Sequence, residues 1–551
     1  MQKLLIVIAA ATLAGGCKKK SNESTSGSGG SGATGGGAGT ASGAAGGDGT
    51  QSATTESMGD LKPVSECPPA LKDTDKGLRR TIPAGCQTKV EGDYYVDGEL
   101  VVEAGATLAF APGAAMYVAY SAPGKLVVRG TKEQPVTFTS GGDKAAGAWK
   151  GVTIYARAPR SELNGIVIEH AQVALASEAP ELTVKDSTFR DNQEASVRLE
   201  DQATFAAFAG NTFEKPGELA MSVPPAALGG VGANTFPADA AIELRGGAAK
   251  KSATWANPGA PFKVTGEVYI EGAPSRAKVV IAAGNRFLMD GGAAIYVGYA
   301  SEGELEVAGT KEAPVSFASA GAAEPGAWER GIISYSRGVL TMEHVVVRHG
   351  GGDDKAAVRV ESGKLSMTSS TLADNVIGLH VDDSGELRAF DHNQLAGNRE
   401  RALELAPRAL GVLGAANTYA AGEKILVHGG KVEKPATWLE QPGAAVTIDG
   451  EIYIDGGQVT IPAGATYTFT DAGVIYVGYS QEGKLQAVGT AARPITFQGT
   501  RDDAGAWKGI ELYGRSSGST LEHVKVKGAT LRTSDDAKVK LTSVTCAPEK
   551  C

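Results

Sequence analysis

The residue types that most often carry chemistry are present but sparsely placed. Seven histidines occur in 551 residues: His170, His344, His349, His380, His392, His428 and His523. None stands in a His-x-x-x-His or His-x-His spacing, so no single helix or strand offers a metal-binding face and no metal ligands are expected. Glu169-His170, Glu343-His344 and Glu522-His523 read as one position met three times. A catalytic centre rarely recurs at three places in one chain, so this pair is expected to be a structural hydrogen-bonding pair at a strand end. Paired carboxylates occur at Asp353-Asp354, Asp382-Asp383, Asp502-Asp503 and Asp535-Asp536. Glycoside hydrolysis needs two carboxyls about 5–9 Å apart across a cleft, whereas adjacent strand residues face opposite sides. Asp382-Asp383 near Arg388 is the best local approximation to a calcium-and-base site, and a poor one. No phosphate-binding loop is present. No catalytic residue and no cofactor is therefore assigned.

Composition narrows the class. Fifty-three basic and 62 acidic residues give a net charge of -9, mild and spread along the chain, without the basic stripe of a nucleic-acid binder. Gly is abundant at 75 residues and aromatics are only 6 %, which argues against several ordinary globular enzymes with large aromatic-rich cores. No apolar run approaches the roughly 18 residues of a spanning helix.

The N-terminus supplies the address. Met1-Gln2-Lys3 precedes an apolar run from Leu4 to Leu13 and then Ala14-Gly15-Gly16-Cys17, the layout of a secretory signal. Small residues ending at a Cys resemble a bacterial lipobox, and that resemblance implies cleavage after residue 16 and lipidation of Cys17. Lys18 rather than Asp follows, which by the same resemblance favours an outer-membrane destination, on its periplasmic face or at the cell surface. Residues 17–59 form a Gly/Ser/Ala-rich linker, expected to be disordered. The 39 residues from 21 to 59 have an r.m.s. reach of about 35 Å. Four further cysteines, Cys67, Cys86, Cys546 and Cys551, suit an export compartment. Of the three possible pairings, the economical one joins Cys67 to Cys86 and Cys546 to Cys551, closing caps at 60–86 and 546–551.

The strongest signal is self-similarity. Gly147-Ala148-Trp149-Lys150-Gly151 returns as Gly326-Ala327-Trp328-Glu329-Arg330-Gly331 and as Gly505-Ala506-Trp507-Lys508-Gly509, 179 residues apart each time. Met116-Tyr117-Val118-Ala119-Tyr120 returns as Ile295-Tyr296-Val297-Gly298-Tyr299 and Ile475-Tyr476-Val477-Gly478-Tyr479. The body thus divides into copies at 87–260 and 261–443 and a partial third at 444–545. A solenoid can stop part-way through a unit because each coil touches only its neighbours. Within a copy, short period-two pairs such as Val152/Ile154 and Ile166/Ile168 are punctuated by Gly, Asn, Asp and Pro, which predicts strands and turns without helices. Asn tolerates left-handed corners and stacks in ladders. The expected fold class is all-β, a solenoid, with tandem β-sandwiches as the alternative.

A Gly-Thr followed by Pro-hydrophobic-Thr-Phe, as at Gly130-Thr131 and Pro135-Val136-Thr137-Phe138, and then Gly-x-Trp-x-Gly resembles the bacterial right-handed parallel β-helix proteins of the pectate-lyase-like superfamily. The resemblance covers residues 87–545 and implies a right-handed parallel β-helix. It leaves function open, since that fold hosts lyases, hydrolases, adhesins and passive stalks. Gly-His-Gly, which β-helix polysaccharide hydrolases carry, is absent.

The repeated aromatics are the remaining candidates. Tyr117, Tyr296 and Tyr476 lie between apolar residues and should face outward. Tyr120, Tyr299 and Tyr479 then face in or lie at a turn. Trp149, Trp328 and Trp507 sit in Gly-flanked corners. Tyr117, Tyr296, Tyr476 and the three Trp are either ligand-stacking platforms or corner staples. As platforms about 35 Å apart they would favour long polymers through avidity. The expected function is that of a non-catalytic, lipid-anchored envelope protein with a structural or binding role. Its partners would be the membrane, through the lipid, and a polysaccharide or another envelope protein, but not nucleic acid. A polysaccharide lyase or glycoside hydrolase is the alternative.

Overall fold

The computed structural model of the chain describes residue 58, residues 60–352 and residues 355–548. The leader at 1–16, Cys17, most of the linker 17–59, Asp353-Asp354 and Cys551 lie outside the described residues. The rest is a right-handed parallel β-solenoid of about 19 turns. Among the described residues 55 strands occur, against one four-residue α-helix at Pro407–Leu410. Every pairing between these strands is parallel, which excludes β-sandwiches.

Each coil has three sides. Leu78–Ile82, Gln87–Val90 and Tyr94–Val96 carry on top of them Glu99–Glu103, Thr107–Phe110 and Ala115–Val118, each pair in parallel register. The pleat sends alternate residues inward: in Ala277–Ala282, Val279 and Ile281 are buried while Lys278 is exposed. The inward rows merge into one apolar core running from Leu71 to Leu531. The segment 60–86, expected as a cap, is itself coiled. Lys62–Ser65 pairs with Leu78–Ile82 and Ala70–Leu71 with Gln87–Val90. The Cys67–Cys86 disulfide, Cα–Cα 5.7 Å, ties these first two turns together.

Corners explain where the polar residues went. His170, His344, His349, His392 and His523 all have positive φ, between 49° and 65°. They end strands in the left-handed conformation that His, Asn and Asp enter more readily than most residues. Buried asparagines then satisfy the corner backbone from one coil to the next. Gly350 N–H donates to the Asn375 side-chain oxygen at 3.0 Å, and Asn375 N–H donates to Asn398 at 3.3 Å. The Asn375 amide donates back to the Val347 carbonyl at 3.1 Å. A second ladder runs Val345 N–H to Ser370, Ser370 N–H to Asn393, and Asn393 N–H to Asn417, all at 3.0 Å.

The copies are not stacked face on face. The 14-stranded sheet that begins with Tyr94–Val96, Ala115–Val118 and Gly151–Ile154 continues unbroken through Leu219–Val223, Ile242–Leu244 and Phe262–Val264 into Arg286–Met289 and Val315–Ser319. By repeat position Arg286–Met289 corresponds to Thr107–Phe110, which occupies a different sheet. The counterpart of Ala115–Val118 is Ala294–Val297, which has moved to the neighbouring side. One copy therefore spans seven turns and one extra side. The second junction repeats the shift. There Glu423–Val432 and Ala444–Ile454 bend around a corner. Their first halves lead from Arg401–Leu405 to Thr466–Phe469, and their second halves to Val474–Val477.

Asn375→Ala is expected to strand the Gly350 N–H and the Val347 carbonyl in the core and to cost about 2–4 kcal/mol. Urea unfolding followed by tryptophan fluorescence checks this. Hydrogen exchange should rise first in the coils that flank residues 347–398.

Candidate functional site: three tyrosine patches

In each copy the same three coils assemble four tyrosines on the outer surface. In the first copy the register puts Tyr95 directly under Tyr117, both projecting outward between buried neighbours. Ala119 then turns the chain with φ 61°, and Tyr120 folds back over the ladder. Gly298 and Gly478 take the same turn, with φ 71° and 69°. An acid from the coil below holds each turn: Asp97 accepts Ser121 and Ala122 N–H, Glu271 accepts Ala300 and Ser301 N–H, and Asp455 accepts Ser480 N–H and hydroxyl. Tyr155, one coil further on, completes the set.

The geometry repeats closely. Ring centroids of Tyr95–Tyr117, Tyr269–Tyr296 and Tyr453–Tyr476 are 5.3, 5.1 and 5.0 Å apart. Those of Tyr120–Tyr155, Tyr299–Tyr335 and Tyr479–Tyr513 are 5.3, 5.1 and 5.2 Å apart, edge to face. Twelve of the fifteen tyrosines belong to these three patches. Tyr120, Tyr299 and Tyr479 are 51, 57 and 52 % exposed, and no other aromatic among the described residues stands so far into solvent. They lie at a turn, as one of the two sequence expectations had it. Tyr95, Tyr155 and their counterparts escaped the sequence reading. The acid-x-Tyr spacing of Asp93/Tyr95, Glu267/Tyr269 and Glu451/Tyr453 was the signal that could have found half of them.

Each patch is bordered by charge of both signs. Lys150 pairs with Asp93 at 3.6 Å, Arg330 with Glu267, and Lys508 with Glu451 at 3.3 Å. The Tyr453 hydroxyl donates to Glu451 at 2.6 Å, and that bond, with partial desolvation, pushes its pKa up to about 12. The same bond from Tyr269 to Glu267 raises Tyr269. Both hydroxyls are thereby held in their neutral form. A guanidinium closes one edge: Arg157, Arg337 and Arg515 donate to the carbonyls of Tyr120, Ala300 and Tyr479.

The three tryptophans do not join this surface. Trp149, Trp328 and Trp507 are buried in the core, which removes them from the stacking candidates. The reason is the corner itself. Each indole N–H donates to a backbone carbonyl one coil away, Glu169, Arg348 and Lys527, at 2.8, 2.9 and 2.8 Å. Trp149 also stacks on Phe110 at 4.0 Å, and Trp507 on Phe469 at 4.1 Å.

The Glu-His correspondence also changes. Gly130, Gly309 and Gly489 donate to the carbonyls of Asn164, Glu343 and Glu522 at 2.9, 2.9 and 2.8 Å. Glu343-His344 and Glu522-His523 are thus the counterparts of Asn164-Gly165. Glu169-His170 instead matches Arg348-His349, one side further on, as the tryptophan bonds require. Its 174-residue spacing to Glu343, against 179 elsewhere, marked the difference. Only the left-handed backbone repeats. Glu169 is held by Thr139 at 2.8 Å and Arg190 at 2.7 Å. Burial opposes its charge, but these bonds hold its pKa below the usual range.

The best carboxylate candidate is spent on structure. The Asp382 side chain accepts the N–H groups of Ser362 and Ser384 at 3.1 and 2.9 Å, and Arg388 pairs with Glu386. A groove at the second copy junction is lined by Asp383, Glu386, Arg408, Lys431 and Glu433. The Arg408 guanidinium there is bonded to the Gly385 carbonyl at 2.7 Å. One cluster was not foreseen. His380, Glu404 and His428 bring one ligand atom each within 4.8 Å of one another. They are 24 residues apart, one coil, a period invisible to a search for His-x-His. Burial would raise the Glu404 pKa, but bonds from His380 and His428 and the charge of Arg401 hold it well below the usual carboxylate range.

Residues 80–200 match the family model of the pectate-lyase-like beta helix domain. No curated protein matches the chain.

Trp149→Ala should remove a fully buried ring and its hydrogen bond and cost about 3–5 kcal/mol. Tyr120→Ala should cost about 1 kcal/mol or less. Denaturant unfolding of the two variants separates the staple from the surface residue.

Proposed function

For a chain that carries a pectate-lyase-like β-helix domain, we propose a non-catalytic binding role in the cell envelope, with a glycan polymer as the partner and the three tyrosine patches as the sites. The signal sequence directs export and is removed, lipid on Cys17 tethers the remaining chain to a membrane, and the linker sets the rod off that surface. One observation carries the reading: a four-tyrosine surface of constant geometry is built three times, whereas an enzyme concentrates its charged groups in one cleft of one copy. Exposed tyrosine rings offer flat apolar faces for the C–H faces of sugar rings, and their hydroxyls and the bordering ion pairs offer hydrogen bonds.

The rotation of the copies alters the avidity expected from the sequence. Seven and one-third turns at about 4.8 Å advance successive patches about 35 Å along the axis and move each to the next side. A straight polymer lying along one side meets one patch. Three polymer strands, or one strand winding around the rod, can occupy all three. The protein then acts as a cross-bridge between strands rather than as a track for one of them.

Short oligosaccharides of the recognised glycan should bind with a stoichiometry of three per chain by calorimetry. Tyr120→Ala/Tyr299→Ala/Tyr479→Ala should abolish retention on the immobilised polymer, with each single variant retaining two sites. Retention of the triple variant at the wild-type level would sink the assignment of the patches. Release of reducing or unsaturated ends on incubation with the polymer would overturn the non-catalytic reading in favour of a lyase or hydrolase.

A further inference from the structure

We propose that His380, Glu404 and His428 form a binding site for a divalent transition metal ion of the zinc class. The three side chains project from the outer side of three successive coils, Ile377–Val381, Arg401–Leu405 and Glu423–Val432. His380 lies in register with Glu404. His428 lies two residues past the Glu404 partner Leu426, on the same side of the strand. His380 Nδ1 is 3.3 Å and His428 Nε2 2.8 Å from Glu404 Oε1. Tetrahedral zinc, with bonds of about 2.0–2.2 Å, separates its ligand atoms by roughly 3.3–3.5 Å. A small opening of the His428 contact therefore admits the ion.

The surroundings suit this use. Arg401 holds the other carboxylate oxygen, Oε2, at 2.7 Å, which leaves Oε1 turned to the two imidazoles. The Glu404 side chain is 14 % exposed, against 28 % for His380 and 39 % for His428, so the acid forms the floor and the histidines the rim. The open side faces solvent and leaves the fourth position to water or to a ligand from outside. Two imidazole nitrogens and one carboxylate select zinc, nickel, cobalt or copper over calcium and magnesium, which prefer all-oxygen sites.

The first copy supplies the internal control. The register Arg198–Ser222–Glu243 there matches His380–Glu404–Leu426. The positions of the three ligands are occupied by Arg198, Ser222 and Arg245, and Arg245 bonds the Ser222 hydroxyl at 3.0 Å. The same backbone therefore stands without a metal-ligating set. The ligands belong to one copy alone, unlike the corner histidines and the tyrosines.

The test uses the full chain without a histidine tag, stripped with a chelator and titrated with Zn2+ by calorimetry and metal analysis after dialysis. One tightly held ion per chain is expected. His380→Arg/Glu404→Ser/His428→Arg transplants the first-copy set, so it should fold with an unchanged circular dichroism spectrum and lose that ion. Glu404→Gln, which keeps the shape, should bind more than about tenfold more weakly. Co2+ should give the intense visible bands of four-coordination in the wild type and not in the triple variant. Absence of a bound ion in the wild type, or the same stoichiometry in the triple variant, overturns the site. Neither outcome touches the tyrosine patches, which lie on other residues.

Discussion

Parallel stacking of one coil on the next is the constraint from which the other features follow. Each strand finds its backbone partners one coil away in sequence, so every side chain has a vertical neighbour, at offsets that run from 16 residues at Lys62/Leu78 to 37 at Ala294/Gly331. A row is either inside or outside along its whole length. Inside, rows of Val, Ile, Leu and Phe form a core with no break from the first coils to the last. At corners the stacking leaves backbone donors that the strands cannot use, and buried Asn and Ser of the next coil take them. Outside, the same rule turns isolated residues into ladders.

The aromatic residues show how strictly this rule sorts side chains. Tryptophan and tyrosine recur with the same period and comparable Gly-rich flanks. Trp149, Trp328 and Trp507 lie in the core, where their indole N–H groups meet carbonyls of the adjacent coil and so are not left unpaired by burial. Tyr95, Tyr117 and their counterparts alternate with buried residues along their strands and so face out, and the tyrosines at the turn and past the next strand close over them. Four rings that are 60 to 66 residues apart at their extremes thereby form one surface.

The extra side per copy has a different consequence. A repeat of twenty-one sides would align equivalent surfaces along one face and make a track. With one more, equivalent surfaces spiral around the rod and become separate stations. The junction coils, with the Pro225–Gly230 and Pro407–Leu410 turns standing in for strands, are where that side is gained. They also open the grooves, since a short helical turn covers less of the edge than a strand does.

Periodicity of two, the near-180 repeat and the Gly, Asn and Pro punctuation favoured a β-solenoid over tandem β-sandwiches, because they record the local rules of strand, corner and coil, and the parallel strand pairing then excluded the sandwiches. The outward direction of Tyr117, Tyr296 and Tyr476 was legible for the same reason. What the sequence could not carry was which coil neighbours meet. Coil lengths vary widely, from 16 residues at Lys62/Leu78 to 37 at Ala294/Gly331, so offsets cannot be summed reliably along the chain. The 174-residue spacing of Glu169 to Glu343 was accordingly misaligned by one side. The burial of the tryptophans, the four-ring patches, their spiral placement and the meeting of His380, Glu404 and His428 were decided only by the tertiary structure. Each depends on stacking between coils, a contact between residues 20 or more positions apart that no local pattern records.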